Sequence, residues 1–147
     1  MSSKAPLVKA ALYTVCQGLY AAPIQVAYGH PGTDLEADIV SVGAVRATQE
    51  IATMSTMRNR EESIFVDVIF SCFAGGGAEV QQTVTERTYT LCALLENHLQ
   101  TTDYTLSGTA RLARVTGADL YESDDAELLA LGRLSELTAT VHVEVRI

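Results

Sequence analysis

Residues Glu61–His98 read EESIFVDVIFSCFAGGGAEVQQTVTERTYTLCALLENH, and this stretch decides the fold. From Ile64–Phe73, β-branched and aromatic residues alternate with a period of two, which predicts a strand. Its second face is also apolar, so we expect a central strand covered on at least part of both faces. Gly75–Gly77 ends the strand. Apolar residues at helical spacing over Val80–Leu99 then predict an amphipathic helix, and together these elements form a two-layer α/β core.

Weaker patterns before and after this core complete the predicted sheet. An apolar stripe predicts a first helix, and alternation predicts four more strands: the helix over Ala5–Leu19 and the strands Ile24–Tyr28, Ile39–Arg46, Thr109–Thr116 and Leu137–Val145. The predicted fold class is α+β. Residues 1–147 form a single domain with one mostly antiparallel sheet of about five strands and two helices packed on one face.

Two polar segments remain outside this pattern. Thr48–Glu62 lies between two predicted strands and is interpreted as a long protruding loop or hairpin, which in a compact domain is more often functional than filler. Met54 and Met57 within it are either adaptable contact residues or caps on the edge of the core. Asp119–Glu127 is the densest acidic group and is predicted to be a solvated loop. The leucines after it predict a helical turn or the start of a strand.

Composition restricts the function. The chain has 147 residues, 48% of them hydrophobic, which is enough for one packed domain. Its formal net charge is −8 and its basic residues do not cluster, so general nucleic-acid binding is not expected. We also expect no signal peptide and no membrane helix.

Reactive and metal-binding signatures are missing from the sequence. Cys16, Cys72 and Cys92 each lie in an apolar periodic segment without CxxC spacing, which predicts buried free thiols. His30, His98 and His142 are far apart, and there is no GxSxG elbow. The triple glycine before Glu79 lacks the spacing of a phosphate loop and is interpreted as a turn. We therefore predict a protein that is not an enzyme and has neither cofactor nor metal.

Several strings in order resemble one protein family. The strings are IQVAYGHPG, IVSVGAV, TQEIATM, REESIFVDVIFSC, AGGGAEV, ERTYTLCALLENHL and LSGTARLARV, ahead of a terminal alternating strand. This layout resembles the tail terminator, or tail completion, proteins of long-tailed bacteriophages, particularly phages of actinobacteria. The resemblance covers nearly the whole chain and includes no catalytic motif.

The resemblance implies a structural virion protein of the tail or neck, assembled in the host cytoplasm. Such proteins form a homohexameric ring that stops growth of the tail tube and joins the tail to the head–tail connector or stopper. The implied partners are other copies of the chain, the tail tube protein and the connector; DNA passes through the lumen without specific binding. We expect subunit or tube contacts at two segments, with the residues Met54, Met57, Arg58, Arg60, Glu61 and Glu62 on one and Asp124 and Asp125 on the other.

Two alternatives remain open. The first alternative is another neck component, such as a connector or stopper, or the tail tube protein itself, because tube proteins and terminators share a related fold plan. The alternative of a different class is a small cytosolic ligand-binding domain or enzyme of ferredoxin-like layout. A buried ligand pocket would favour this second class.

Overall fold

A computed structural model describes residues 3–51 and 60–147 of the chain. Three helices and five strands follow one another along these residues. In chain order they are α1 Ala5–Leu19, β1 Gln25–Tyr28, β2 Asp38–Ile51, β3 Arg60–Gly75, α2 Gln81–Asn97, β4 Leu112–Glu122, α3 Ala126–Leu131 and β5 Gly132–Arg146. A 3-10 turn at Ala78–Val80 leads into α2, and a π turn at His98–Thr102 follows it.

The five strands form one sheet in the order β1-β2-β3-β5-β4. The short β1 pairs with β2 in parallel, and every other pairing is antiparallel. At the centre, β3 and β5 pair over their full length, from Glu61 opposite Arg146 to Gly75 opposite Gly132. This arrangement confirms the predicted α+β class with a mostly antiparallel sheet.

The core lies between one face of the sheet and the helices α1 and α2. Side chains of β3 alternate between buried and half-buried, as the period-two pattern requires. The fully buried set on β3 comprises Ile64, Val66, Val68, Phe70 and Cys72, and it packs against Val8, Leu12 and Cys16 of α1 and Val84, Leu91 and Leu95 of α2. Tyr20 joins the layers: its ring meets Phe70 edge-on, and its hydroxyl donates to the carbonyl oxygen of Leu91 at 2.5 Å.

The pairing of strands favours the hairpin over the loop for Thr48–Glu62, and it corrects the prediction for Asp119–Glu127. The arms of Thr48–Glu62 belong to the sheet, because Thr48 pairs with Ser63 and Ile51 with Arg60. Residues 52–59, including Met54, Met57 and Arg58, lie outside the described residues. The acidic segment Asp119–Glu127 is not a single loop, since β4 continues to Glu122 by pairing with β5 and α3 begins at Ala126.

One extra residue interrupts the pairing of each strand that flanks the central pair. Between Val42 and Val45, β2 advances one residue more than β3, and between Val115 and Gly117, β4 advances one residue more than β5. Such insertions are β-bulges, which bend a strand and increase its twist. Val45 and Val115 lie at the same level of the sheet, because Val45 pairs with Val66, which pairs with Val141, which pairs with Val115.

All three cysteines are free and buried, which confirms that prediction. Burial raises the pKa of the Cys16 thiol to about 12 and the pKa of Cys72 to about 11. For Cys92, burial, with a smaller contribution from Glu96, raises the pKa to about 11. Because the thiolate is the nucleophilic form, these side chains are packing residues rather than reactive ones.

Candidate interaction surface

The second face of the sheet carries neither α1 nor α2. On β3 it presents Phe65, Asp67, Ile69, Ser71 and Phe73, all of them half-buried. The sequence led us to expect partial cover on both faces, and that cover is confined to the margins of this one. The loop of residues 29–37 lies along one margin, and Leu128 of α3 lies at the other. We call this surface the open face.

An apolar groove of about 920 Å³ lies on the open face between these two margins. Its lining includes four large apolar side chains contributed by three neighbouring strands, namely Ile39 of β2, Ile69 and Phe73 of β3, and Leu134 of β5. Since Ile39 pairs with Ser71 and Leu134 with Phe73, these side chains share one face and one end of the sheet. The groove is thus a consequence of strand register.

Local sequence sets the two walls of the groove. On the β1 side, Gly29 turns the chain with φ 77° and its N–H donates to the carbonyl oxygen of Val42 at 2.8 Å. The Ser41 hydroxyl in turn donates to the carbonyl oxygen of Gly29. On the other side, the Asp125 side chain caps α3 by accepting from the N–H of Glu127 at 2.9 Å and that of Leu128 at 3.4 Å.

Two polar groups of the groove make hydrogen bonds within the subunit. His30 Nδ1 accepts from the N–H of Gly32 at 2.9 Å, and the Ser41 hydroxyl is committed to a backbone carbonyl oxygen. The charged lining residues are Lys9, Glu36 and Glu136. Within the described part of the chain, no three His, Cys, Asp or Glu residues are grouped to hold a metal. The mainly apolar lining of the groove is suited to binding an apolar group.

Beyond the groove, the open face becomes polar and aromatic. Arg46 reaches across from β2 to Asp67, with nitrogen–oxygen distances of 3.1 and 3.3 Å. Further along, the rings of Phe65 and His142 stack with centroids 4.6 Å apart and an interplanar angle of 6°. His142 Nε2 is buried and has no hydrogen-bond partner among the described residues.

Two of the predicted contact residues lie at the other end of the sheet from the groove, at the start of β3. Arg60 is exposed at the start of β3. Glu61 pairs with Arg146 at 3.2 Å and also with Arg111. The contact role of these two residues stays a prediction.

Glu62 has a different environment. It is only 1% exposed, and its carboxylate accepts from the N–H of Lys4 at 2.8 Å and from Gln49 Nε2 at 3.1 Å. Burial alone would raise the pKa of Glu62, but hydrogen bonds from Ser3, Gln49 and Lys4 together hold that pKa below its usual value. The carboxylate thus ties the N-terminal segment to the sheet inside one subunit, so it is not presented to a neighbour.

Asp124 and Asp125 are exposed and lie at the opposite end of the sheet from Arg60. They follow Glu122, whose partner Ser135 pairs with Cys72, whereas Arg60 pairs at the Arg146 end of β5. About twelve strand residues at ~3.4 Å each separate the two levels, roughly 40 Å. The two predicted contact segments therefore lie far apart within one subunit.

The triple glycine forms a turn, as predicted. The N–H of Gly77 donates to Glu79 Oε1 at 3.1 Å. The hydrogen bonds that Glu79 accepts from its own N–H and from that of Gly77 hold the pKa of Glu79 below its usual value. The Glu79 carboxylate thus accepts from the Gly77 N–H, a donor that a bound phosphate would otherwise use.

Comparisons with known proteins found matches among solved structures. No family model matches the sequence, and no curated protein matches it. Among solved structures, the chain is similar to one from the virion of a native gene transfer agent particle. The alignment covers 97% of this chain and 99% of the other, with 17% sequence identity and a TM-score of 0.49.

Of the helices in residues 3–51 and 60–147, none has both the length and the apolar character to cross a membrane.

Sequence reasoning missed the groove on the open face. The available signal was the second apolar face of β3, with Ile69 and Phe73 spaced four residues apart. Ile39, Leu128 and Leu134 gave no such signal, because only the strand register and the position of α3 bring them together.

Proposed function

We propose that this chain is a structural virion protein that ends a phage tail tube as a homohexameric ring and provides the surface for joining the head. It acts by self-association and by contact with the tube protein and the connector, without a reactive centre. The strings quoted above carry the resemblance to tail terminators. The structure supports the proposal with one observation in particular: an open sheet face with an apolar groove that no element of the described chain covers.

An uncovered apolar groove favours assembly for a physical reason. Apolar surface is stabilised by about 25 cal/mol for each Å² removed from water, so a second protein surface gains by covering it. Exposed apolar patches on otherwise polar domains commonly mark protein interfaces. The strand β4 lies at the edge of the sheet, so the part of its outer edge beyond Ala113, whose N–H donates to the carbonyl oxygen of Tyr104, is a further candidate contact.

The acidic balance fits passage of DNA through such a ring. A surface with a net charge of −8 repels phosphate and gives no counterion release on binding. DNA would therefore slide past the protein rather than bind to it. Another neck component or the tube protein would share this property, so charge does not separate these roles.

Electron microscopy tests the proposal directly. Virions assembled without this gene product should appear as separated heads and tails, with tails of irregular and excessive length. Purified protein should form rings in negative stain or bind the open end of isolated tails. Joined, normal virions in the absence of the gene product would overturn the proposal, and separated tails of normal length would favour a connector or stopper.

The same groove favours a second candidate, an apolar-ligand-binding domain. Its volume and four large apolar side chains are suited to a small hydrophobic molecule. A monomer whose melting temperature rises with such a ligand in a concentration-dependent manner would support this function. Ring formation without any ligand-induced shift would count against it.

A further inference from the structure

We propose that the groove of one copy receives residues 52–59 of a second copy, so that successive subunits join end to end. This inference rests on the proposed self-assembly and goes further by naming the two surfaces that meet. The donor is the segment that connects β2 to β3. The acceptor is the groove, which lies at the other end of the same sheet.

The donor and the acceptor have complementary chemistry. Residues 52–59 read ATMSTMRN and contain Met54 and Met57. Methionine side chains are flexible and polarizable, so they fill irregular apolar spaces well. The groove that would receive them is lined by aliphatic and aromatic side chains, including Ile39, Ile69 and Phe73.

Charge agrees with this pairing. Arg58 lies within the donor segment and Arg60 directly follows it, whereas the groove carries Glu36 and Glu136. The cation of the groove, Lys9, is held over the Tyr28 ring, 4.3 Å from its centroid. Outside the groove, the connection before α3 and its first turn add three carboxylates, from Asp124, Asp125 and Glu127. A basic donor would therefore meet a mainly acidic rim.

A subunit cannot fill its own groove while β2 and β3 stay paired. Ile69 lies nine residues along β3 from Arg60, about 30 Å at ~3.4 Å per residue. An eight-residue connection that leaves one strand and enters the next reaches at most four residues outward, about 14 Å at ~3.6 Å per residue. If residues 52–59 fill a groove, that groove must therefore belong to another copy, and a ring of head-to-tail contacts needs two different patches on each subunit.

Disulfide cross-linking between two variants tests the contact. Full-length chain carrying Met54→Cys and full-length chain carrying Ser71→Cys are co-expressed with different tags, oxidised and separated without reductant. The three native thiols are buried and give little background. We expect a covalent pair containing both tags, at least tenfold more abundant than with Thr90→Cys, an exposed position on α2, in place of Ser71→Cys. Equal yields, or no mixed pair, would overturn the inference.

A charge exchange provides a second test that does not depend on cysteine. Glu136→Lys should raise the dissociation constant for self-association about tenfold, and Arg60→Glu in the same chain should restore most of the loss, as measured by sedimentation velocity. Circular dichroism confirms that both variants fold. Unchanged association in Glu136→Lys, or no recovery in the double variant, would contradict the pairing.

The failure of this inference is distinguishable from the failure of the proposed function. Rings that form without the mixed cross-link would refute the groove contact and leave the terminator role intact. A strong mixed cross-link together with normal virions in the absence of the gene product would refute the role and leave the contact. Cross-linking of the groove cysteine to the tube protein instead of a second copy would overturn the assignment of the occupant.

Discussion

At the scale of single residues, the N-terminal segment is attached to the sheet by a buried carboxylate. Glu62 lies on the helix side of β3, at the end where β2 and β3 continue beyond the core. Its oxygens accept from the backbone N–H of Lys4 and from the side-chain amide of Gln49, and the positive charge of Lys4 also favours the carboxylate. Hydrogen bonds to a charged acceptor are stronger than neutral ones, and this accounts for a carboxylate in an otherwise apolar layer.

We predict that Glu62→Gln destabilises the fold by about 1–2 kcal/mol at pH 7, because an amide replaces one acceptor oxygen with a donor that faces Gln49. The folded-state pKa of Glu62 lies below its usual value, so the stabilisation is fully present above about pH 4.3 and is lost as the pH falls through the folded pKa. Denaturation at a series of pH values measures this. A difference between variant and wild type that does not narrow below pH 4 would contradict the linkage.

Gly132 is required by close packing rather than by backbone conformation. A Cβ at this position would overlap the carbonyl oxygen of Ala74 and come within 2.8 Å of Phe73 Cζ. We predict that Gly132→Ala destabilises the protein by about 1–3 kcal/mol, because backbone must shift to accept the methyl group. The matched control is Gly117→Ala, where nothing lies within 4 Å. Equal melting temperatures for the two variants would contradict this explanation.

At the scale of elements, α2 shows how one helix separates a buried stripe from an exposed one. Leu94 and Leu95 are neighbours, yet Leu94 is 47% exposed and Leu95 is fully buried. The stripe that faces the sheet continues through Leu91 and Leu99, at spacings of four residues. The direction of each side chain from the helix axis therefore decides its contribution to stability.

We predict that Leu95→Ala lowers the free energy of unfolding by about 2–5 kcal/mol, because it leaves a cavity beneath α2. Leu94→Ala removes the same atoms from a partly solvated position and should change the free energy by about 0.5 kcal/mol or less. Chemical denaturation of both variants measures the difference. Similar losses in the two would mean that the helix face has been assigned wrongly.

The elements differ in how well sequence alone could predict them. Regular periodicity identified α1, β3, α2 and β5, because buried side chains recur in each of them at the period of a helix or of a strand. The boundaries of β2 and β4 could not be found in this way. Their outer parts are polar and are held by pairing with a neighbouring strand, and one extra residue in each breaks the alternation. The groove could not be predicted from the sequence, because it depends on the register between strands.

At the scale of the whole molecule, the subunit has two unlike ends. Arg60 and the start of residues 52–59 lie at one end of the sheet, and the groove with its acidic rim lies at the other. The described ion pairs at the first end, from Arg111 and Arg146 to Glu61, are internal to the subunit and leave Arg60 exposed. Such polarity is what a head-to-tail assembly requires of each copy.

We predict that replacing both Arg58 and Arg60 with Glu weakens ring formation or tail attachment, because the acidic rim would then repel the donor. The loss should shrink at high salt, since the Debye length falls from about 10 Å at 0.1 M to about 3 Å at 1 M. Arg114→Glu, exposed on β4, is the control beside the single variant Arg60→Glu. Sedimentation at two salt concentrations measures the effect, and unchanged assembly and infectivity would remove these arginines from the interface.

The two β-bulges that lie level with each other make a crease across the sheet. Both interrupt strands that flank the central pair, and a bulge bends its strand and increases its twist, so β2 and β4 change direction between the part near Glu61 and the part beside the groove. In any row of copies joined end to end, every copy would contribute this same turn. Repeating a fixed turn makes an arc rather than a straight fibre, so the angle of the crease would set how many members a closed circle holds.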